Sequence, residues 1–238
     1  MPDLTIMLIA AAVTFVAAAV QGTIGFGLSA LSVPILTLLD PALTPIPQIM
    51  LGLLLVIGMA IRERPSIDFR GVRWVLVGRI AGAFLGAWLL GLMTERTGSI
   101  VIGGVVVVAA VLLATGWSIP RTANTEAVVG VVSGTSGIVS GVGGPPLALL
   151  FAGTEGPITR ATLSTIFVVG QSVNVVVLAV TGRTTVLDLQ VTAIMVVPLL
   201  AGFVLSSRLH TRTAGGRLRA WIIGVAGLAG AALLLQSI

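Results

Sequence analysis

The chain has 238 residues, 56% of them hydrophobic and only 9% charged, with a mean hydropathy of +1.14. Soluble domains carry about 25% charged residues, so the composition excludes a soluble globular domain and predicts an integral membrane protein. The net charge is +5, but all 13 basic residues are arginines lying mostly in loops, which fits membrane topology and lipid headgroups rather than nucleic acid.

In chain order the apolar runs are Leu4–Leu39, Ile46–Ile61, Val72–Met93, Ile100–Ser118, Ala127–Ala152, Thr162–Thr181, Leu189–Ser207 and Leu218–Gln236. A helical span needs about 20 residues. Six runs fit one crossing each and the first and fifth are longer. The first cannot be a single straight span and is predicted to break at Gly22–Gly27; the fifth, too short for two full spans, is predicted to be a re-entrant hairpin. Ala17–Val20 resembles a small-residue cleavage site, yet only Asp3 precedes it as a charge, so the segment is read as mature protein.

Both long runs carry the same punctuation. Gln21-Gly-Thr-Ile-Gly-Phe-Gly-Leu-Ser runs to Pro34, and Ser133-Gly-Thr-Ser-Gly runs to Gly143-Gly144-Pro145-Pro146. Glycine permits unusual backbone conformations and proline suits a first helical turn. Short helices starting near Pro34 and Pro146 are therefore expected to aim positive N-terminal ends at an anion near the midplane. Gln21, Gly22, Thr23, Gly25, Gly27, Ser29, Ser32 and Pro34 are candidate binding residues from the first segment. Ser133, Gly134, Thr135, Ser136, Gly137, Ser140, Gly143, Gly144, Pro145 and Pro146 are those from the second. The competing reading is that these glycines merely permit close helix packing.

The halves also match at Asp68, Ala81, Gly82, Leu85 and Leu89 against Asp188, Ala201, Gly202, Leu205 and Leu209. The expected fold is all-α, with two repeats in one membrane domain, residues 1–120 and 121–238. Each repeat is a broken or re-entrant helical hairpin plus three transmembrane helices. Arg62, Arg64, Arg70 and Arg73 precede or enter the third helix of the first half, whereas Arg208, Arg212, Arg217 and Arg219 follow its counterpart. If positive loops stay inside, those helices run in opposite directions and the repeats are inverted. Both termini are then expected outside.

Arg79 lies within the third helix. It either snorkels to the headgroups or faces the bundle and attracts an anion. Gln171 and Asn174 share a helix face, and either bind substrate or join helices. Gln48 sits near a helix end. Gly78, Gly82 and Gly86 form a GxxxG ladder suited to close packing. Gly25-Phe-Gly and Gly141-Val-Gly-Gly lack the Gly-Lys-Ser/Thr ending of a phosphate loop. All eight acids fall in loops or at helix ends, His210 sits in an Arg-rich loop, and there is no cysteine. No embedded proton relay, catalytic metal cluster or nucleophile–base pair is expected, so no catalysis, cofactor or metal.

At the two glycine-proline motifs, supported by Asp68, Gly82, Gly86, Arg160, Thr162, Asp188 and Gly202, the chain resembles the sulfite exporter TauE/SafE family over essentially its whole length. The resemblance implies a multi-pass carrier of the bacterial or archaeal cytoplasmic (inner) membrane, exporting sulfite, sulfonates such as sulfoacetate, or related small anions. Arg79 is not one of the positions that carry it. The expected mechanism is alternating access at a midplane site formed by the two broken segments. A passive anion channel and an uptake carrier for small organic acids are the alternatives. The expected partners are a small anionic substrate and membrane lipid, with no nucleic acid; a homodimer is left open.

Overall fold

The computed structural model describes residues 2–69, 72–152, 154–209 and 216–237. Arg70, His210 and Arg212, and the side chains of Arg217 and Arg219, lie outside that description. Among the described residues the chain is all helical: α1 (Leu4–Ile24), α2 (Leu28–Leu39), α3 (Ile46–Arg62), α4 (Val72–Gly91), α5 (Glu95–Ala114), α6 (Ala123–Val139), α7 (Gly144–Leu150), α8 (Gly156–Val180), α9 (Val186–Leu209) and α10 (Gly216–Ser237). Six stretches are long and apolar enough to cross a membrane: Leu4–Ile24, Pro41–Arg62, Val72–Gly91, Arg96–Ala114, Gly156–Val180 and Val186–Arg208. The surface carries large apolar side chains such as Leu8, Phe84, Trp88, Val197 and Leu235, the pattern of a chain solvated by lipid.

Both long apolar segments are broken. The first break falls at Gly25–Gly27, where Gly25 (φ 107°) and Gly27 (φ 125°) take a left-handed backbone that residues with a Cβ rarely adopt. The second falls at Ser140–Gly143, with Gly141 at φ 70°. Gly22, Thr23 and the Gly134–Gly137 turn were expected in the breaks, but they are helical. Their glycines serve packing instead. A Cβ on Gly22 would lie 2.2 Å from Ser206 Oγ of α9, and one on Gly134 would lie 2.4 Å from the Arg79 carbonyl of α4. Pro34, expected near a helix start, is the seventh residue of α2. α2 starts earlier because the Leu28 amide donates to Gln21 Oε1 at 2.8 Å, which caps the helix before the proline is reached. α7 starts at Gly144, so Pro146 falls in its first turn, as expected.

Helix packing exchanges partners between the two halves. α4 lies along α6, and α9 lies along α1; α3 packs on α8, and α5 on α10. The α4–α6 seam is a glycine contact from both sides. Cβ atoms on Gly78 and Gly82 would lie 2.1 Å and 2.2 Å from the Ala127 and Val131 carbonyls, and one on Gly130 2.4 Å from that of Val75. The GxxxG ladder is therefore a packing face, as read from the sequence. At this separation no side chain larger than hydrogen fits, so the seam fixes the register of α4, and with it the place of Arg79.

Candidate functional site

The two breaks and the middle of α3, α4 and α8 surround a small, partly open cavity. The first broken segment lines it with Gln21, Phe26, Gly27 and Ser29; the second contributes Gly137, Gly143, Gly144 and Pro145. α4 adds Arg79, and α8 adds Phe167 and Gln171.

Arg79 dominates the electrostatics. It is 2% exposed, so it faces the bundle and does not snorkel. Its Nη1 donates to Ser133 Oγ at 2.5 Å, and Ser133 Oγ donates in turn to the Gly143 carbonyl at 2.5 Å. The guanidinium carbon sits 5.2 Å from the Phe167 ring centroid, a cation–π distance. Nε finds no hydrogen-bond partner. Among the described residues no carboxylate comes within ion-pairing distance of Arg79; the ion pairs formed by Glu63, Asp68 and Glu126 go to Arg62, Arg160 and Arg121. A buried charge without a counter-ion costs several kcal/mol. The site is therefore short of one negative charge.

α8 makes room for that cation. A Cβ on Gly170 would fall 2.1 Å from Arg79 Nε, so only glycine leaves the slot that the guanidinium occupies. One residue on, Gln171 reaches toward α3, where a Cβ on Gly52 would lie 3.0 Å from its Nε2. Asn174 Nδ2 donates to Gln171 Oε1 at 3.0 Å, while Asn174 Oδ1 is buried without a partner. Gln48 is fully buried on α3; its Oε1 accepts from Ser32 Oγ at 2.8 Å and its Nε2 is unpartnered.

The remaining candidates turn elsewhere. Thr23 Oγ1 donates to the Ala19 carbonyl and Thr135 Oγ1 to that of Gly82, both along or across packed helices. Ser140 Oγ donates to the Ser136 carbonyl. Ser136 and Pro146 line a separate apolar crevice against α5. Gly25 sits against Arg160, just outside the cavity. Phe167, Gly170 and Gly52 were missed from the sequence. A phenylalanine or a lone helical glycine in an apolar helix carries no signal; their proximity to Arg79 and Gln171 exists only in three dimensions.

Broken apolar helices around a buried cation are the architecture of a multi-pass α-helical membrane protein. The model of the sulfite exporter TauE/SafE family matches residues 10–233, and the chain belongs to that family. No curated protein and no solved structure matches it significantly.

Proposed function

We propose that the protein exports small sulfur-containing anions, sulfite or sulfonates such as sulfoacetate, across the cytoplasmic membrane of a bacterial or archaeal cell. The observation that carries this reading is Arg79, buried at the cavity with no carboxylate partner among the described residues. An anion in the cavity supplies the missing charge, and Ser29 and Gln171 lie close enough to line its path. With a negative interior, moving one negative charge outward gains about 2.3 kcal/mol per 100 mV. Export of this kind requires no embedded carboxylate relay.

The mechanism proposed is alternating access, with residues 1–120 and 121–238 as inverted repeats moving against each other. The exchange of helix partners between the halves supports it, since equivalent helices meet equivalent surfaces. The test is the thermal stability of the purified protein against sulfite, sulfate, sulfoacetate, taurine and short carboxylates. A selective, saturable rise that disappears in Arg79→Gln is expected. No rise with any anion in a well-folded sample would overturn the anion reading. In proteoliposomes, saturable flux with counter-substrate exchange is expected; ohmic single-channel currents would replace the carrier by a channel.

A further inference from the structure

α3 and α8 run side by side with the cavity midway along them, at Gly52 and Val56 on one and Phe167 and Gln171 on the other. Their two ends are built differently. Glu63, just past α3, and Arg160, in the first turns of α8, each lie seven residues from the cavity wall, about 10 Å along a helix. Glu63 Oε1 accepts from Arg160 Nε at 3.3 Å and from Arg62 Nε at 3.1 Å. Arg62 Nη1 continues to Ser206 and Ser207 on α9, at 3.0 Å and 3.2 Å, and Nη2 donates to the Gly22 carbonyl in the last turn of α1. Beside them Arg121 ties Asp68 (3.0 Å) to Glu126 (3.3 Å), and the Asp68 amide donates to Thr162 Oγ1 on α8. Most of these links join residues 1–120 to residues 121–238.

At the other end the same two helices open onto a wide vestibule bordered by Asp40, Pro45, Ile46, Gly182 and Arg183. Arg183 repeats part of the role of Arg62, reaching the Leu90 carbonyl near the end of α4 at 3.4 Å, as Arg62 reaches the end of α9. No acid follows it. The next residues are Thr184 and Thr185, and Thr184 Oγ1 is buried without a hydrogen-bond partner. The cation is present at both mouths; among the described residues an ion pair joins the halves at the Arg62 mouth, and none is formed by Arg183.

We propose that the Arg62–Glu63–Arg160 network is the gate of the mouth that it closes. Intact, it holds the cavity shut on the Arg62 side while the Asp40 side stands open; broken, it lets the halves part there. The three side chains are only 10–19% exposed, so losing Glu63 strands two half-buried cations and weakens the closed state. The gate also bears on the site directly. A Cβ on Gly25 would lie 3.2 Å from Arg160 Cα, and the next two residues, Phe26 and Gly27, line the cavity. The gate rests on the alternating-access reading, but its test needs no substrate.

The chain has no cysteine, so Ala30→Cys at the cavity wall gives a single reporter thiol. It is labelled with a membrane-impermeant maleimide from each side of sealed, oriented vesicles without added anion. One-sided labelling, from the Asp40 side, is expected in the parent. Glu63→Gln is expected to raise labelling from the Arg62 side roughly tenfold, the effect of removing the charge pair from a two-state equilibrium. Arg160→Gln should do the same, and Glu63→Arg with Arg160→Glu should restore one-sided labelling. A parent labelled equally from both sides, or from neither, overturns the gate. So does unchanged labelling in both single variants, each checked as folded by a monodisperse elution profile. If the gate variants respond but no anion stabilises the protein, the gate stands and the anion reading falls.

Discussion

The two breaks do the same job on the backbone with opposite chemistry around it. At the first, Gln21 spends its side-chain oxygen on the Leu28 amide, so the leading donor of α2 is already taken. Pro34, inside α2, has no N–H for the Ala30 carbonyl, leaving that acceptor without its helical partner. At the second, Pro145 and Pro146 remove two of the first N–H groups of α7, and Ser133 links the Gly143 carbonyl to Arg79. Neither break therefore presents a full set of free amides, as paired helix dipoles would need. The positive charge has moved from the helix ends to one arginine, and only the second break is wired to it. The two breaks hold two gaps open; a residue from outside both gaps supplies the positive charge.

That division is broken most decisively at Arg79. Arg79→Gln should lower anion affinity about 100-fold, because truncating a buried hydrogen-bonded charge costs about 2–5 kcal/mol. Arg79→Met separates binding from folding. The anion-free protein should melt no lower than the parent, since an uncompensated buried charge has been replaced by apolar volume. A large drop in melting temperature without anion would make Arg79 a structural strut. The next effect belongs to Gly170→Ala. Its Cβ would meet Arg79 Nε at 2.1 Å, so the guanidinium must leave its slot. An overpacking cost of about 1–3 kcal/mol predicts roughly tenfold weaker binding, read from the anion concentration needed for half-maximal stabilisation. Gly170→Ala in the Arg79→Met background should have no further effect on anion binding.

The helices were legible in the sequence because length and apolarity are local. The starts were less so: α5 begins at Glu95, ahead of the apolar run, because Thr94 caps it through the Thr97 amide at 3.2 Å. The two Gly-Thr motifs point to the broken segments but not to the positions of the breaks. Gly22 and Gly134 mark where α1 meets α9 and α6 meets α4, and the breaks follow three and six residues later. Glycine at a tight helix contact and glycine at a positive φ look alike in one dimension. The orientation of Arg79 was undecidable for a related reason. α4 packs on α6 and α8 together, so its apolar residues do not gather on one stripe that would say which way the charge points. The cavity itself was partly legible: Gln21, Gly27, Ser29, Gly143, Gly144, Pro145 and Gln171 were all singled out, and all line it. Thr135 shows the limit, since its hydroxyl is spent on the Gly82 carbonyl of the packing seam.

The smallest effect sharpens the comparison of the breaks themselves. Ser133→Ala leaves Arg79 Nη1 and the Gly143 carbonyl without their shared partner in a buried place. Stranded buried polar groups cost about 1–3 kcal/mol each, and here part of that loss falls on the geometry of the cation. Both stability and anion affinity should therefore decline, the affinity by about fivefold. Gln21→Met removes the cap of α2 while keeping similar bulk, and a lost cap costs about 1 kcal/mol. It should lower melting temperature with a smaller change in affinity than Ser133→Ala, because Gln21 bonds to the backbone of its own break and not to Arg79. Measured side by side by thermal shift with and without sulfite, the two variants separate a break that holds shape from one that also holds the charge. If Gln21→Met cost more affinity than Ser133→Ala, the first break would be the one facing the anion, and the link from Arg79 to Gly143 would be a strut.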